Sequence, residues 1–177
     1  MDDAFSIRRQ VQFAETDLAG VLHFSNYFRL MEEVEHAFWR SLGLTVYTPD
    51  GERVISWPRV AVACEYFGPA RFEDQLELNF WIVHVGRRSL EFEVEFVRDS
   101  ERIALGRITA VCCETTHGSF AAIEIPASIR DQLTERISPS RATRAHAASP
   151  SPLPRGDSRG VPSPAVRNRA DIERSTQ

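Results

Sequence analysis

The stretch ETDLAGVLHFSNYFRLMEEVEHAFWRSLG, residues 15–43, carries the decision about the fold. From Asn26 onward, Tyr27, Leu30, Met31, Val34, Phe38 and Leu42 recur at the spacing of one helix face, and Gly43 follows as a natural stop. That pattern predicts one amphipathic helix of about four to five turns. Just ahead of it lies Asp17, in a Thr16-Asp17-x-x-Gly20 run with the composition of a turn. An aspartate there either bonds its own backbone as a turn or capping acid, or is placed to do chemistry.

Outward from the helix, strand patterns take over. Residues 6–14 alternate Ile7, Val11 and Phe13 against Arg and Gln, with one slip in phase, and are expected to form a strand. After the helix, TPDGER is expected to be a polar link, and four runs rich in β-branched and aromatic residues follow: PRVAVACEYF, DQLELNFWIVHV, SLEFEVEFVRD and RIALGRITAVCCE. A turn at His117-Gly118, a short strand from Phe120 to Ile125 and a last short helix starting at Pro126 complete the order. In the third run Leu90, Phe92, Val94 and Phe96 alternate with Glu91, Glu93 and Glu95, the mark of an antiparallel sheet with one buried face. The expected architecture is α+β: an antiparallel sheet of about five to six strands wrapped around one long helix, its solvent face lined by those glutamates.

Composition sets the limits. A chain of 177 residues with 42% hydrophobic content buries one ordinary core. The expected domain spans residues 1–137. From Ser138 on there is no aromatic residue and there are six of the ten prolines, so 138–177 is expected to be a disordered Pro/Ser/Arg-rich tail. That tail carries seven Arg against three acids, whereas residues 1–137 carry 14 Arg against 22 acids. The tail's charges are scattered, which fits a solvated extension better than a nucleic-acid arm. No apolar run approaches the roughly 18 residues of a membrane span, and the N-terminus has no apolar core of a signal peptide; the expectation is a cytoplasmic protein with neither a membrane nor a nucleic-acid partner. Cys64, Cys112 and Cys113 lack the spacing of a disulfide framework or a zinc site and read as small core or near-surface residues, and no metal is expected. Of Glu32, Glu33 and Glu35, at least one must be partly covered and paired in a wrapped helix. Trp39, Trp57 and Trp81 read as core or interface aromatics, and His36 and His84 as structural.

The order of elements together with ETDLAGVLHFSNYF resembles the hotdog-fold acyl-CoA thioesterases of the 4-hydroxybenzoyl-CoA thioesterase type. That family carries D-x-D-x-x-G-x-V, then an aromatic or histidine pair, a small residue or Asn, and Tyr. Here Thr16-Asp17, Gly20, Asn26 and Tyr27 fall at the matching places, and RSLGL and GPARFEDQLEL extend the likeness over residues 6–130. Glu15 replaces the usual first aspartate and reads as structural. The His23-Phe24 order departs from the family, whose histidine, where present, sits one place later.

The resemblance implies that Asp17 is a catalytic carboxylate, acting as nucleophile or as general base toward water. It also implies that the backbone N-H of Phe24, at the positive end of the helix, polarises the thioester carbonyl. His23 is a further candidate for contact with substrate or Asp17. Gly20, Asn26 and Tyr27 are expected at the substrate, and Arg71, Arg87 and Arg88 near the phosphates of coenzyme A. No cofactor is expected beyond the coenzyme A of the substrate. The implied activity is hydrolysis of a short, branched or aromatic acyl-CoA to free acid and coenzyme A. Two alternatives stand beside it: release from an acyl carrier protein, and a silent acyl-binding dimer. The family pairs into homodimers, in some cases dimers of dimers, which also covers the open edge of a single sheet.

Overall fold

A computed structural model describes residues 4–142 apart from Gly51, His117 and Gly118. The elements run β1 (Phe5–Gln10), a 3-10 turn (Phe13–Glu15), α1 (Phe24–Ser41), β2 (Tyr47–Asp50), β3 (Arg53–Ser56), β4 (Arg59–Tyr66), β5 (Gln75–Val85), β6 (Ser89–Arg98), β7 (Glu101–Val111), β8 (Cys113–Thr116), β9 (Ser119–Ala122) and α2 (Ala127–Thr134). A five-stranded antiparallel sheet in the order β1-β5-β6-β7-β4 cups α1, and a four-stranded sheet in the order β2-β3-β8-β9 extends the wrap. Among the described residues, no helix is long and apolar enough to cross a membrane.

The helix is the one the spacing predicts. Tyr27, Leu30, Met31, Val34 and Phe38 are buried against the sheet, where Leu78, Phe80, Phe92, Val94, Phe96 and Ile108 meet them. The stop at Gly43 is a Schellman cap: Gly43, at φ +68, donates to the Arg40 carbonyl and Leu44 to that of Trp39. Gly106 on β7 faces α1 at such close range that a Cβ there would lie 2.4 Å from Met31 Cε and 2.5 Å from its Sδ. The sheet and the helix can approach this closely because β7 has no side chain at that point.

Five expectations need correction. The first strand stops at Gln10, because Glu15 turns back to accept from the Gln12 N-H at 2.7 Å and from Arg9 Nη2 at 2.6 Å. This closes a 3-10 turn that leaves Phe13 75% exposed. The TPDGER link is a hairpin instead: β2 and β3 pair Pro49 with Val54 and Asp50 with Arg53, and Pro49 is tolerated because β2 is a sheet edge. RIALGRITAVCCE is two strands. At Cys112 the chain leaves β7, its N-H donating to Arg88 and its carbonyl accepting from Ile123, and the bend hands the run to the second sheet as β8. The turn expected at His117-Gly118 lies outside the described residues.

Around Glu93 and Glu95 the outer face of the sheet is covered rather than open to solvent. Glu93 is 4% exposed, and its carboxylate takes Arg107 Nε at 2.9 Å and Arg141 Nη1 at 3.3 Å. Glu95 pairs with Arg102 at 2.7 Å and Arg141 at 3.2 Å. The Arg141 guanidinium also lies 3.8 Å from the centre of the Trp81 ring, a cation-π contact. The fifth correction therefore concerns the start of the tail. Ile137 bridges Ile82 of β5 just past the last described β1 pairing, Phe5 with Phe80, Ser138 donates to the Ile82 carbonyl, and residues 139–142 form a helical turn. Composition hid this, because one arginine supplies what would otherwise take an aromatic. Residues 143–177 lie outside the described residues.

Candidate active site

Asp17 sits at the tip of a small hairpin that launches α1. Thr16 and Leu22 bridge, the Asp17 N-H donates to the Val21 carbonyl at 2.9 Å, and the His23 N-H to the Glu15 carbonyl at 2.9 Å. Asp17 Oδ1 accepts from the Ala19 N-H at 2.8 Å and the Val21 N-H at 3.4 Å, an Asx turn that fixes the carboxylate while the residue stays exposed. Gly20 holds φ +72, the left-handed conformation that the tight reversal demands. The turn-forming and chemical readings of Asp17 are thus compatible, since the Asx turn occupies one oxygen.

The helix start follows from the same hairpin. His23 is the N-cap, with extended backbone (φ −61, ψ 136), and its Nδ1 accepts from the Ser25 N-H at 3.4 Å while lying 2.8 Å from Ser25 Oγ. The Asn26 N-H goes to the His23 carbonyl at 2.9 Å, which leaves the Phe24 N-H as the first unclaimed donor of the helix among the described residues. His23→Ala is therefore expected to cost about 1 kcal/mol by loss of the cap, read as a lower midpoint in urea unfolding, while His23→Asn keeps most of it.

The remaining candidates divide. Asn26 Nδ2 donates to the Glu15 carbonyl at 2.7 Å, so this side chain braces the hairpin rather than facing a ligand. Both carboxylate oxygens of Glu15 are occupied, by Arg9 and by the Gln12 N-H, in keeping with a structural role. Tyr27 is 3% exposed, its ring edge-on to Tyr66 at 5.0 Å and to Phe96 at 5.1 Å, and burial pushes its phenol up to about 12; it is a core residue, not a substrate contact on this surface. Arg71 does join the site. Val21 bridges to it, and its Nη1 lies 4.0 Å from where a Gly20 Cβ would stand. Arg87 and Arg88 do not join it within one chain. They form the turn after β5, whereas Arg71 precedes β5, and eleven strand residues span roughly 35 Å. Arg87 pairs with Glu124 at 3.4 Å, both mostly exposed.

Two features escaped the sequence reading: Tyr66, and the partner of the covered acid on α1. Tyr66, at the end of the edge strand β4, donates its hydroxyl to the Phe24 carbonyl at 3.3 Å. Its only sequence signal is an aromatic immediately before the Phe67-Gly68-Pro69 strand end. The second is a charged cluster on α1. Glu35 is fully buried, 2.5 Å from Arg59 Nη2 and 3.4 Å from Trp39 Nε1. Arg59 also lies 3.7 Å from Glu32 and 3.4 Å from His36 Nε2. Burial pushes the Glu35 carboxyl up, with Arg59 opposing, and burial pushes the His36 imidazole down. This is the covered, paired acid that a wrapped helix requires.

Around the Asp17 hairpin the surface is aromatic. Phe13 and Phe72 touch edge to face at 5.7 Å, Phe24 is 61% exposed, and Leu18, next to Asp17, is exposed as well. An exposed carboxylate, a free helix-start N-H and an aromatic surround make a site suited to an acyl carbonyl.

The thioesterase superfamily model matches residues 19–105. A protein of Aquifex aeolicus (strain VF5) named as an esterase is 31% identical over 119 residues, 67% of this chain and 91% of that protein. The 1,4-dihydroxy-2-naphthoyl-CoA hydrolase of Synechocystis sp. (strain ATCC 27184 / PCC 6803 / Kazusa) is 26% identical over 110 residues, 61% of this chain and 80% of the relative. Among solved structures, a gentisyl-coenzyme A thioesterase superposes with a TM-score of 0.60 at 27% identity, over 73% of this chain and 98% of that one. With its sheet cupped around a single long helix, this chain belongs to the thioesterase superfamily and is a hotdog-fold thioester hydrolase.

Proposed function

We propose that the chain hydrolyses an aromatic acyl-CoA to the free acid and coenzyme A, with Asp17 delivering the attack and the Phe24 N-H receiving the developing oxyanion. The reading is carried by one observation: the Asp17 carboxylate and the unclaimed N-H of α1 are presented by the same hairpin-helix junction. Whether Asp17 adds to the carbonyl or takes a proton from the attacking water, the carbon-sulfur bond breaks in the same direction. Coenzyme A leaves as a thiolate, which needs no strong general acid. Exposed Phe13, Phe24 and Phe72 favour an aromatic acyl group over a short or branched one, and relatives named for dihydroxynaphthoyl- and gentisyl-CoA support the preference.

The working unit in this proposal is a homodimer. β4 is an edge strand that exposes Val60 (62%) and Val62 (45%), an invitation to pair with a second copy. Two-fold pairing of β4 with itself is antiparallel, so the Arg59 end of one strand meets the Tyr66 end of the other. The Arg87-Arg88 turn lies toward the Arg59 end, since Val111 bonds Pro58 and Cys112 bonds Arg88. The partner subunit's Arg87 and the partner subunit's Arg88 would then approach the phosphates of a coenzyme A whose thioester lies at Asp17, with Arg71 nearer the hairpin. No cofactor or metal takes part, and a cytoplasmic acyl-CoA pool would be the source of substrate.

The test is thiol release over a panel of aliphatic and aromatic acyl-CoAs and acyl carrier proteins. Benzoyl-type CoA thioesters are expected to show kcat/KM at least about tenfold above the rest. Faster release from carrier proteins would assign the carrier-protein reaction, and no release from any thioester would overturn the enzyme reading in favour of a binder.

A further inference from the structure

Tyr66 holds the helix start from the far side. Its hydroxyl donates to the Phe24 carbonyl at 3.3 Å, and the N-H of that same peptide group, belonging to Ser25, donates to His23 Nδ1 at 3.4 Å. One peptide unit is therefore gripped at both ends, its oxygen by the edge strand and its nitrogen by the N-cap. It is the peptide immediately after the one that carries the unclaimed N-H of Phe24. The Tyr66 ring is itself fixed, edge-on to the buried Tyr27 at 5.0 Å and 75°. We infer that Tyr66 is a positioning residue that clamps the oxyanion donor of Phe24 in place, an inference that rests on the hydrolase reading of the Asp17 site.

The chemistry suits a clamp. Burial and the neighbouring Cys64 thiol push the Tyr66 phenol up to about 12, although 45% of the residue as a whole is exposed, so it remains a neutral donor throughout the working range. A donor that must face where charge develops loses effectiveness with small displacements, because its advantage over water is that it is already oriented. The N-cap sets the nitrogen side of this peptide, and among the described residues the carbonyl side has the helix and Tyr66. β4 is also the strand proposed to meet a second subunit, so the clamp joins the dimer edge to the oxyanion site within one side chain.

The experiment is Tyr66→Phe in the full-length chain, with Asp17→Asn run in parallel on the same aromatic acyl-CoA. The ring and its packing remain, and only the hydroxyl is lost. The expected result is a kcat about tenfold lower, with KM and affinity for phenacyl-CoA, a thioether ketone that cannot be hydrolysed, within about twofold of the parent. The melting temperature should stay within about 2 °C. A Tyr66→Phe/His23→Ala double variant is expected to lose less kcat than the product of the two single losses, since both hold one peptide. A kcat within twofold, a weaker phenacyl-CoA affinity that accounts for the whole loss, or fully multiplicative losses would each overturn the clamp. Turnover retained by Asp17→Asn would overturn the underlying site. An inactive Asp17→Asn beside an unaffected Tyr66→Phe would overturn the clamp alone.

Discussion

Asp17→Asn is expected to lower kcat/KM for thioester hydrolysis by about a thousandfold while leaving the fold unchanged. The size follows from what is removed: a positioned carboxylate that attacks or deprotonates contributes about two to four orders of magnitude, and three orders correspond to about 4 kcal/mol of barrier. The selectivity follows from the turn. Asparagine keeps Oδ1, and with it the acceptor for the Ala19 and Val21 N-H groups at 2.8 and 3.4 Å. Asparagine forms Asx turns as readily as aspartate, and the residue is exposed, so no packing is disturbed. Initial rates of thiol release together with a melting curve check both halves. Parent-like turnover would remove Asp17 from the mechanism, whereas lost turnover with an equally lowered melting temperature would mean that the carboxylate had been holding the hairpin.

Asp17, Gly20 and the helix start were legible because they lie within a few residues of one another, where turn chemistry and helix periodicity write directly into the sequence. Gly43 and its Schellman cap are of the same kind. The parts that stayed hidden depend on partners chosen across the fold. Tyr66 reaches Phe24 across 42 positions, Arg59 reaches Glu35 across 24, and Arg141 reaches Glu93 across 48. Alternation in β6 told correctly that its glutamates face away from the helix, but not that arginines from β7 and from the turn after Ser138 would cover them. The same holds for Tyr27. Its helical position was readable, yet whether that helix face meets a ligand or a sheet is decided by Phe96 and Tyr66. A short strand with a proline, β2, was passed over because its pairing with β3 overrides a loop-like composition.

Arg59→Met is expected to destabilise the fold by about 3 kcal/mol or more at neutral pH, the cost of stranding a buried charge. Glu35 is wholly inaccessible, and Arg59 at 2.5 Å is its counter-charge, with the Trp39 N-H at 3.4 Å as the one further donor among the described residues. Methionine retains much of the aliphatic stem, so the loss falls on the carboxylate. The pH dependence fixes the cause. Burial holds the folded Glu35 carboxyl above its unfolded value even with Arg59 present. A raised folded value means that the contribution of this group to stability is fully present below the unfolded carboxylate range and is lost as pH rises through the folded value. Without the opposing arginine the folded value rises further, so the deficit of Arg59→Met should be large at pH 8 and shrink toward pH 5, where Glu35 can be neutral. Urea unfolding at the two pH values measures this directly. A Glu35→Leu/Arg59→Met double variant, with an apolar pair in place of the ions, should recover most of the loss. An equal deficit at both pH values, or a double variant no more stable than Arg59→Met, would show that Arg59 acts through β4 packing and not through the charge of Glu35.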